Sequence, residues 1–181
     1  MRRMTVLLVI LCGVYSGSRA LPVARRAEAK QTAASPLRGG APSVDTLLDQ
    51  FLHALSTKDE RALHRLRVNE AEYRQIIIPG TVKPGESPRQ VAEESSQFFW
   101  SMVNQKSEDV GRQLIKNFGG HHYTRGGVRF TKGSRSFAWY IAHGDVRLDL
   151  TDENGQPHEL RTGTIAEVGG RYKFIGFNTN N

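Results

Sequence analysis

The stretch PRQVAEESSQFFWSMVNQKSEDVGRQLIKNFGG, Pro88 to Gly120, decides how this chain folds. Val91, Phe98 or Phe99, Met102, Val110, Leu114 and Phe118 recur at helical spacing, which predicts one long amphipathic helix over about 88–118. Ser87 followed by Pro88 supplies a cap and a first-turn proline, and Gly119-Gly120 stops the helix. Beyond it the helical period is gone. Four strand-like runs follow, at about 121–131, 137–150, 158–168 and 171–177, with turn signals at Asp152-Glu153-Asn154-Gly155 and Gly169-Gly170. A long helix followed by a meander implies an α+β domain in which a curved antiparallel sheet packs on that helix.

Along the second strand Val146, Leu148 and Leu150 alternate with Asp145, Arg147 and Asp149, so one face is dry there and the other wet. Pairing Leu150 with Leu160 sets Asp149 opposite Arg161, and this is the register the charges favour. Gly126-Gly127 interrupts the first strand as a bulge would. Upstream, Ser43 caps a helix carrying Val44, Leu47, Leu48, Phe51 and Leu55 that runs to about Ser56. Thr57 to Glu60 reads as a capping box opening a second short helix, and Asn69 with Glu72 opens a third that ends at Pro79-Gly80.

The first twenty residues read as a signal peptide. Arg2 and Arg3 precede a short apolar run from Thr5 to Val14, and Ser18-Arg19-Ala20 suits a signal peptidase, so export to the periplasm or exterior is expected. The competing reading is an uncleaved anchor. Residues 21–42 read as a disordered linker and 43–181 as the folded domain. Cleavage after Ala20 removes Cys12, the only cysteine, and leaves no stable membrane span. Of the net charge of +7, residues 1–42 hold seven basic side chains and one acid, whereas 43–181 hold 18 basic and 17 acidic. The domain itself is therefore nearly neutral, which argues against a nucleic-acid partner. A weaker alternative uses the basic linker as a tether to anionic surfaces.

Short N-terminal helices, a long helix carrying Phe98-Phe99-Trp100, and a meander ending Val168-Gly169-Gly170-Arg171-Tyr172-Lys173-Phe174 together resemble the nuclear transport factor 2-like (SnoaL-like, ketosteroid isomerase-like) superfamily. The resemblance spans about 43–178 and implies a cone-shaped fold, a small apolar ligand in the cone and a homodimer through the sheet. It does not fix a function, since the superfamily holds both enzymes and binding proteins. Its isomerases use a tyrosine and two aspartates, and neither Tyr73 nor Asp145 matches them by motif. Its dehydratases use a histidine pair, which here would be sought in His122 and His143.

Candidate chemistry centres on His143 and Asp145. Two apart on one strand, they would share a face with Trp139 and Ile141, and a histidine beside a carboxylate can take and return a proton. Trp100, Tyr123 and His122 complete the expected pocket lining. Phe98, Phe99 and Trp100 cover too much of the helix circumference to pack on one sheet, so one of them should face another layer, a ligand or a partner. His121-His122 lacks a third ligand at metal spacing, and no phosphate loop, nucleophile elbow or dinucleotide fingerprint is present, so neither metal nor cofactor is implied. The sequence reading is an exported ligand-binding or interaction domain without catalysis. The alternative is an isomerase, dehydratase or hydrolase acting on a small apolar molecule.

Overall fold

A computed structural model describes residues 36–178. The expected signal peptide and most of the expected linker lie outside the described residues. The remainder is the expected α+β architecture, a long helix packed on a curved open antiparallel sheet. The helices are α1 Val44–Ser56, α2 Glu60–Arg65, α3 Glu70–Glu72, α4 Ile78–Gly80 and α5 Glu93–Phe118. The strands are β1 Tyr123–Phe130, β2 Ser134–Ser136, β3 Ile141–Asp152, β4 Pro157–Val168 and β5 Arg171–Phe177. No helix among the described residues is long and apolar enough to cross a membrane.

Local chemistry explains the helix starts. Ser43 Oγ accepts from the Thr46 amide at 3.1 Å, and Asn69 and Glu72 close a reciprocal capping box. Thr57 does not open α2 as the sequence suggested; it closes α1, its hydroxyl donating to the His53 carbonyl at 2.9 Å, and Asp59 caps α2 instead. Between α3 and α4 the backbone widens into a π-helical turn, Tyr73–Ile77, with the Ile78 amide bonded to the Tyr73 carbonyl.

Helix α5 starts five residues later than Pro88 predicts. The Arg89 amide is bonded to the Pro79 carbonyl at 2.9 Å, which holds this stretch in the connector. Arg74 then clamps the first turn, reaching the Glu93 carboxylate and, at 3.2 Å, Ser96 Oγ. The buried stripe of α5 is also displaced from the expected one. Ser96, Ser107, Val110, Gly111 and Leu114 are buried, whereas Phe98, Phe99 and Met102 are 60%, 43% and 55% exposed. Small residues face β5 because the helix comes close: a Cβ at Gly176 would lie 2.7 Å from Ser107 Oγ.

The sheet order is β1-β3-β4-β5, with β2 continuing the line of β1 along β3. Gly126-Gly127 form the expected bulge, the register shifting between Arg125 and Val128. The β3–β4 register differs by two residues from the one the charges favoured. Leu148 faces Leu160, Asp149 faces Glu159 and Arg147 faces Arg161. The turn decides this, because Gly155 takes φ +78 at the last place of a three-residue loop, and the Asp152 carboxylate accepts the Asn154 and Gln156 amides. The charges are satisfied diagonally instead. Arg129 donates to Asp149 and Glu159, both at 2.6 Å, and Arg147 to Glu159 at 2.7 Å.

Two apolar clusters hold the sheet. In the first, α1 places Leu47, Leu48, Phe51 and Leu55 against Val146, Leu148, Leu160 and Ile165, with the rings of Phe51, Phe174 and Phe177 5.2–5.7 Å apart. In the second, Ile76, Ile77, Val68 and Leu37 cover Ala166 and Val168 on the opposite face. Residues 36–42, read from sequence as linker, belong to the domain: Leu37 and Ala41 are buried, and Ala41 exchanges backbone hydrogen bonds with Tyr172. One leucine and one alanine give too weak a period to be seen in a Gly- and Pro-rich stretch.

Candidate functional site

The expected pairing of His143 with Asp145 does not form. Asp145 adopts φ 53 at a bulge, and the pairing slips between His143 and Val146, so the alternation that would put both side chains on one face is broken. Asp145 is buried among Thr131, Arg161 and Arg147, and the Thr131 hydroxyl and the two guanidinium groups hold its carboxyl below the usual range. His143 turns toward Phe130 and Tyr172. Its Nδ1 is 2.7 Å from Ser134 Oγ and its Nε2 is 3.1 Å from Glu167 Oε2. A hydroxyl, an imidazole and a carboxylate are therefore joined in one chain across β2, β3 and β4.

The expected pocket residues are dispersed. Trp139 lies in the β2–β3 turn rather than on a strand, where a Cβ at Gly80 would come within 3.0 Å of its own Cβ. Ile141 opens β3. Trp100 packs on Tyr73, ring centres 5.6 Å apart, and burial pushes the Tyr73 phenol up. Tyr123 and His122 instead border a shallow groove with His53 and Asp49 of α1. Tyr123 pairs with Asp152, so it stands at the other end of β3 from Ile141, about 35 Å of extended chain away. Among the described residues the expected pocket lining does not come together at one site.

A cleft that the sequence reading missed lies between α2, the segment before α1 and β5. It encloses about 430 Å³ and is lined by Arg38, Gly39, His64, Arg65, Arg67, Asn69 and Lys173. Its shape follows from a short splice of chain onto the sheet: the Val68 amide donates to the Phe174 carbonyl at 2.8 Å and the Phe174 amide to the Leu66 carbonyl at 2.9 Å. That splice sets Arg67 beside β5 in a parallel bridge, next to Lys173.

The two inner cations differ in how they are met. Lys173 donates to both oxygens of Glu72, at 3.0 and 2.9 Å, and Glu72 also accepts the amides of Arg38 and Asn69. Arg67 is only 3% exposed, yet among the described residues its one side-chain hydrogen bond is from Nη2 to the amide oxygen of Asn104, at 3.0 Å. Its Nε makes none, and its guanidinium rests 5.8 Å from the centre of the Phe177 ring. Burial lowers its proton affinity, and the field of Glu108, which itself accepts from Asn104, only partly opposes this. A guanidinium withdrawn from water and met chiefly by a neutral amide is costly. An anion in the cleft would supply the missing charge.

The sequence held a signal for this cleft in Arg65-Leu66-Arg67-Val68, two basic residues alternating with two apolar ones, preceded by His64. Averaging charge over the whole domain concealed it. No family model, no curated protein and no solved structure matches this chain.

Proposed function

We propose that the chain is an exported, non-catalytic binding domain of nuclear transport factor 2-like architecture whose ligand carries a small anionic group, a phosphate or carboxylate, held in the Arg38–Lys173 cleft. The observation that carries this reading is Arg67, a buried guanidinium that has no carboxylate within ion-pair distance among the described residues and feels only the field of Glu108, at a cleft rimmed by Arg38 and Arg65. Guanidinium groups suit such ligands because their forked donors meet two oxygens at once. The apolar ligand expected from the resemblance is a poorer fit, since Phe51, Phe174 and Phe177 pack on one another inside the curve of the sheet.

Titration of the protein with inorganic phosphate, followed by calorimetry and amide chemical shifts, tests this. Binding is expected, and Arg67→Met should weaken it about 10- to 100-fold, the scale of a lost charge-assisted hydrogen bond. The same variant should be no less stable than the parent without ligand, because it removes a buried charge that no ion pair compensates. Absence of binding by the folded parent to phosphate and to acetate would sink the proposal.

The chain Ser134–His143–Glu167 favours a second reading, an acyl-transfer enzyme with Ser134 as nucleophile, His143 as base and Glu167 orienting it. On this reading a fluorophosphonate labels Ser134, and Ser134→Ala or His143→Ala abolishes labelling. An unlabelled, folded parent protein removes it.

A further inference from the structure

The Arg38–Lys173 cleft is rich in donors and poor in acceptors. Four of the seven residues that line it are arginine or lysine, and none is acidic. The carboxylates on the neighbouring elements are already engaged. Both Glu72 oxygens accept from Lys173 and from backbone amides, Asp59 accepts the Ala62 amide at the start of α2, and Glu108 accepts from Asn104. Asn69 spends its Oδ1 on the Glu72 amide, at 2.9 Å, so its side chain offers a ligand the N–H donors of Nδ2. Arg38 enters the fold through its main-chain amide, and its exposed side chain has no carboxylate within ion-pair distance among the described residues. The buried Nε of Arg67 is a further donor without a partner among them.

Such a lining sorts anions by their charge and by the number of oxygens they present. A carboxylate brings two oxygens and a single charge, whereas a phosphate monoester brings three terminal oxygens and a charge of about −1.5 to −2 near neutral pH. Two guanidinium groups without a carboxylate, one buried and one at the rim, match the second better, and each can meet two phosphate oxygens at once. The cleft, at about 430 Å³, is also several times larger than a phosphate ion and lies in the range of small-molecule pockets, roughly 300–1,000 Å³. Resting on the anion-binding reading of this cleft, we infer that its ligand is the phosphate monoester of a small molecule, with the phosphate on Arg67 and Arg38 and the organic part in the remaining space.

Calorimetric titration of the full chain near neutral pH with phenyl phosphate, inorganic phosphate and benzoate tests this. Phenyl phosphate should bind about 10-fold or more tightly than benzoate, and more tightly than inorganic phosphate. Arg38→Gln keeps the amide that the fold uses, and it should remove most of the margin over benzoate while leaving benzoate binding nearly unchanged. Asn69→Asp keeps an oxygen to cap α3 but sets a carboxylate in the cleft, and it should weaken phenyl phosphate about 10-fold or more. Circular dichroism checks that both variants are folded. Benzoate bound as tightly as phenyl phosphate overturns the monoester and leaves the anion cleft standing; inorganic phosphate bound as tightly as phenyl phosphate overturns the ester part in the same way. Binding of none of the three overturns both readings. A margin over benzoate that survives Arg38→Gln overturns the assignment to two guanidinium groups.

Discussion

Replacing Glu72 by alanine is expected to cost about 3–5 kcal/mol of stability, the scale of leaving one member of a buried ion pair alone. Glu72 and Lys173 are both nearly closed to water, and each Glu72 oxygen accepts from Lys173 as well as from a backbone amide, Arg38 on one side and Asn69 on the other. The substitution therefore strands an ammonium group and two amides together, and it removes half of the capping box that starts α3. Replacing both partners, Glu72→Met with Lys173→Met, should cost much less, within about 2 kcal/mol of the parent, since no charge is then left buried. Urea unfolding of the two variants measures the difference. Equal losses would mean that the pair acts through shape and not through charge.

The second large effect is expected at Gly163. This residue takes φ +124, and a Cβ there would lie 2.1 Å from the Gly176 carbonyl oxygen and 3.1 Å from the Phe177 Cα, both backbone atoms of β5. No side-chain movement relieves such a contact. Gly163→Ala should therefore cost about 3 kcal/mol or more, strain and displacement of β5 together. Gly155→Ala is the control, because it shares the positive φ but meets open space, and about 1 kcal/mol is expected. Equal urea midpoints for the two variants would refute the steric account.

The order of elements was legible because it rests on strong periods and on turn glycines. α1 runs from its Ser43 cap to Ser56 as the spacing predicts, and the bulge at Gly126-Gly127 and the turn at Gly169-Gly170 fall where the glycines put them. Three things were not legible, each for a definite reason. The bulge at Asp145 uses a non-glycine residue at positive φ, so nothing in the alternation announces that His143 and Asp145 part company. The rotation of α5 depends on close approach to Gly176, which favours the small residue Ser107 where a hydrophobic rule looks for Met102. The basic cleft is assembled from Arg38, Arg67 and Lys173, distant in sequence and brought together by the backbone bonds of Leu66 and Val68 to Phe174 and of Ala41 to Tyr172, and by Glu72, which accepts from both the Arg38 amide and Lys173.

Those same hydrogen bonds accompany a strand, β4, whose last residues are packed on both faces. In β4, Ile165 enters the cluster under α1 while its neighbours Ala166 and Val168 enter the cluster under Ile76 and Ile77. No position from Ile165 to Val168 is free of a packed layer except the half-buried Glu167, which is engaged with His143. The charge network on the other half of the sheet has no such constraint, because exposed ion pairs contribute little and can be exchanged in concert. Sequence drift in this fold would therefore be channelled: descendants of this chain could trade away Arg129, Asp149 and Glu159 early, while the end of β4 would remain nearly fixed.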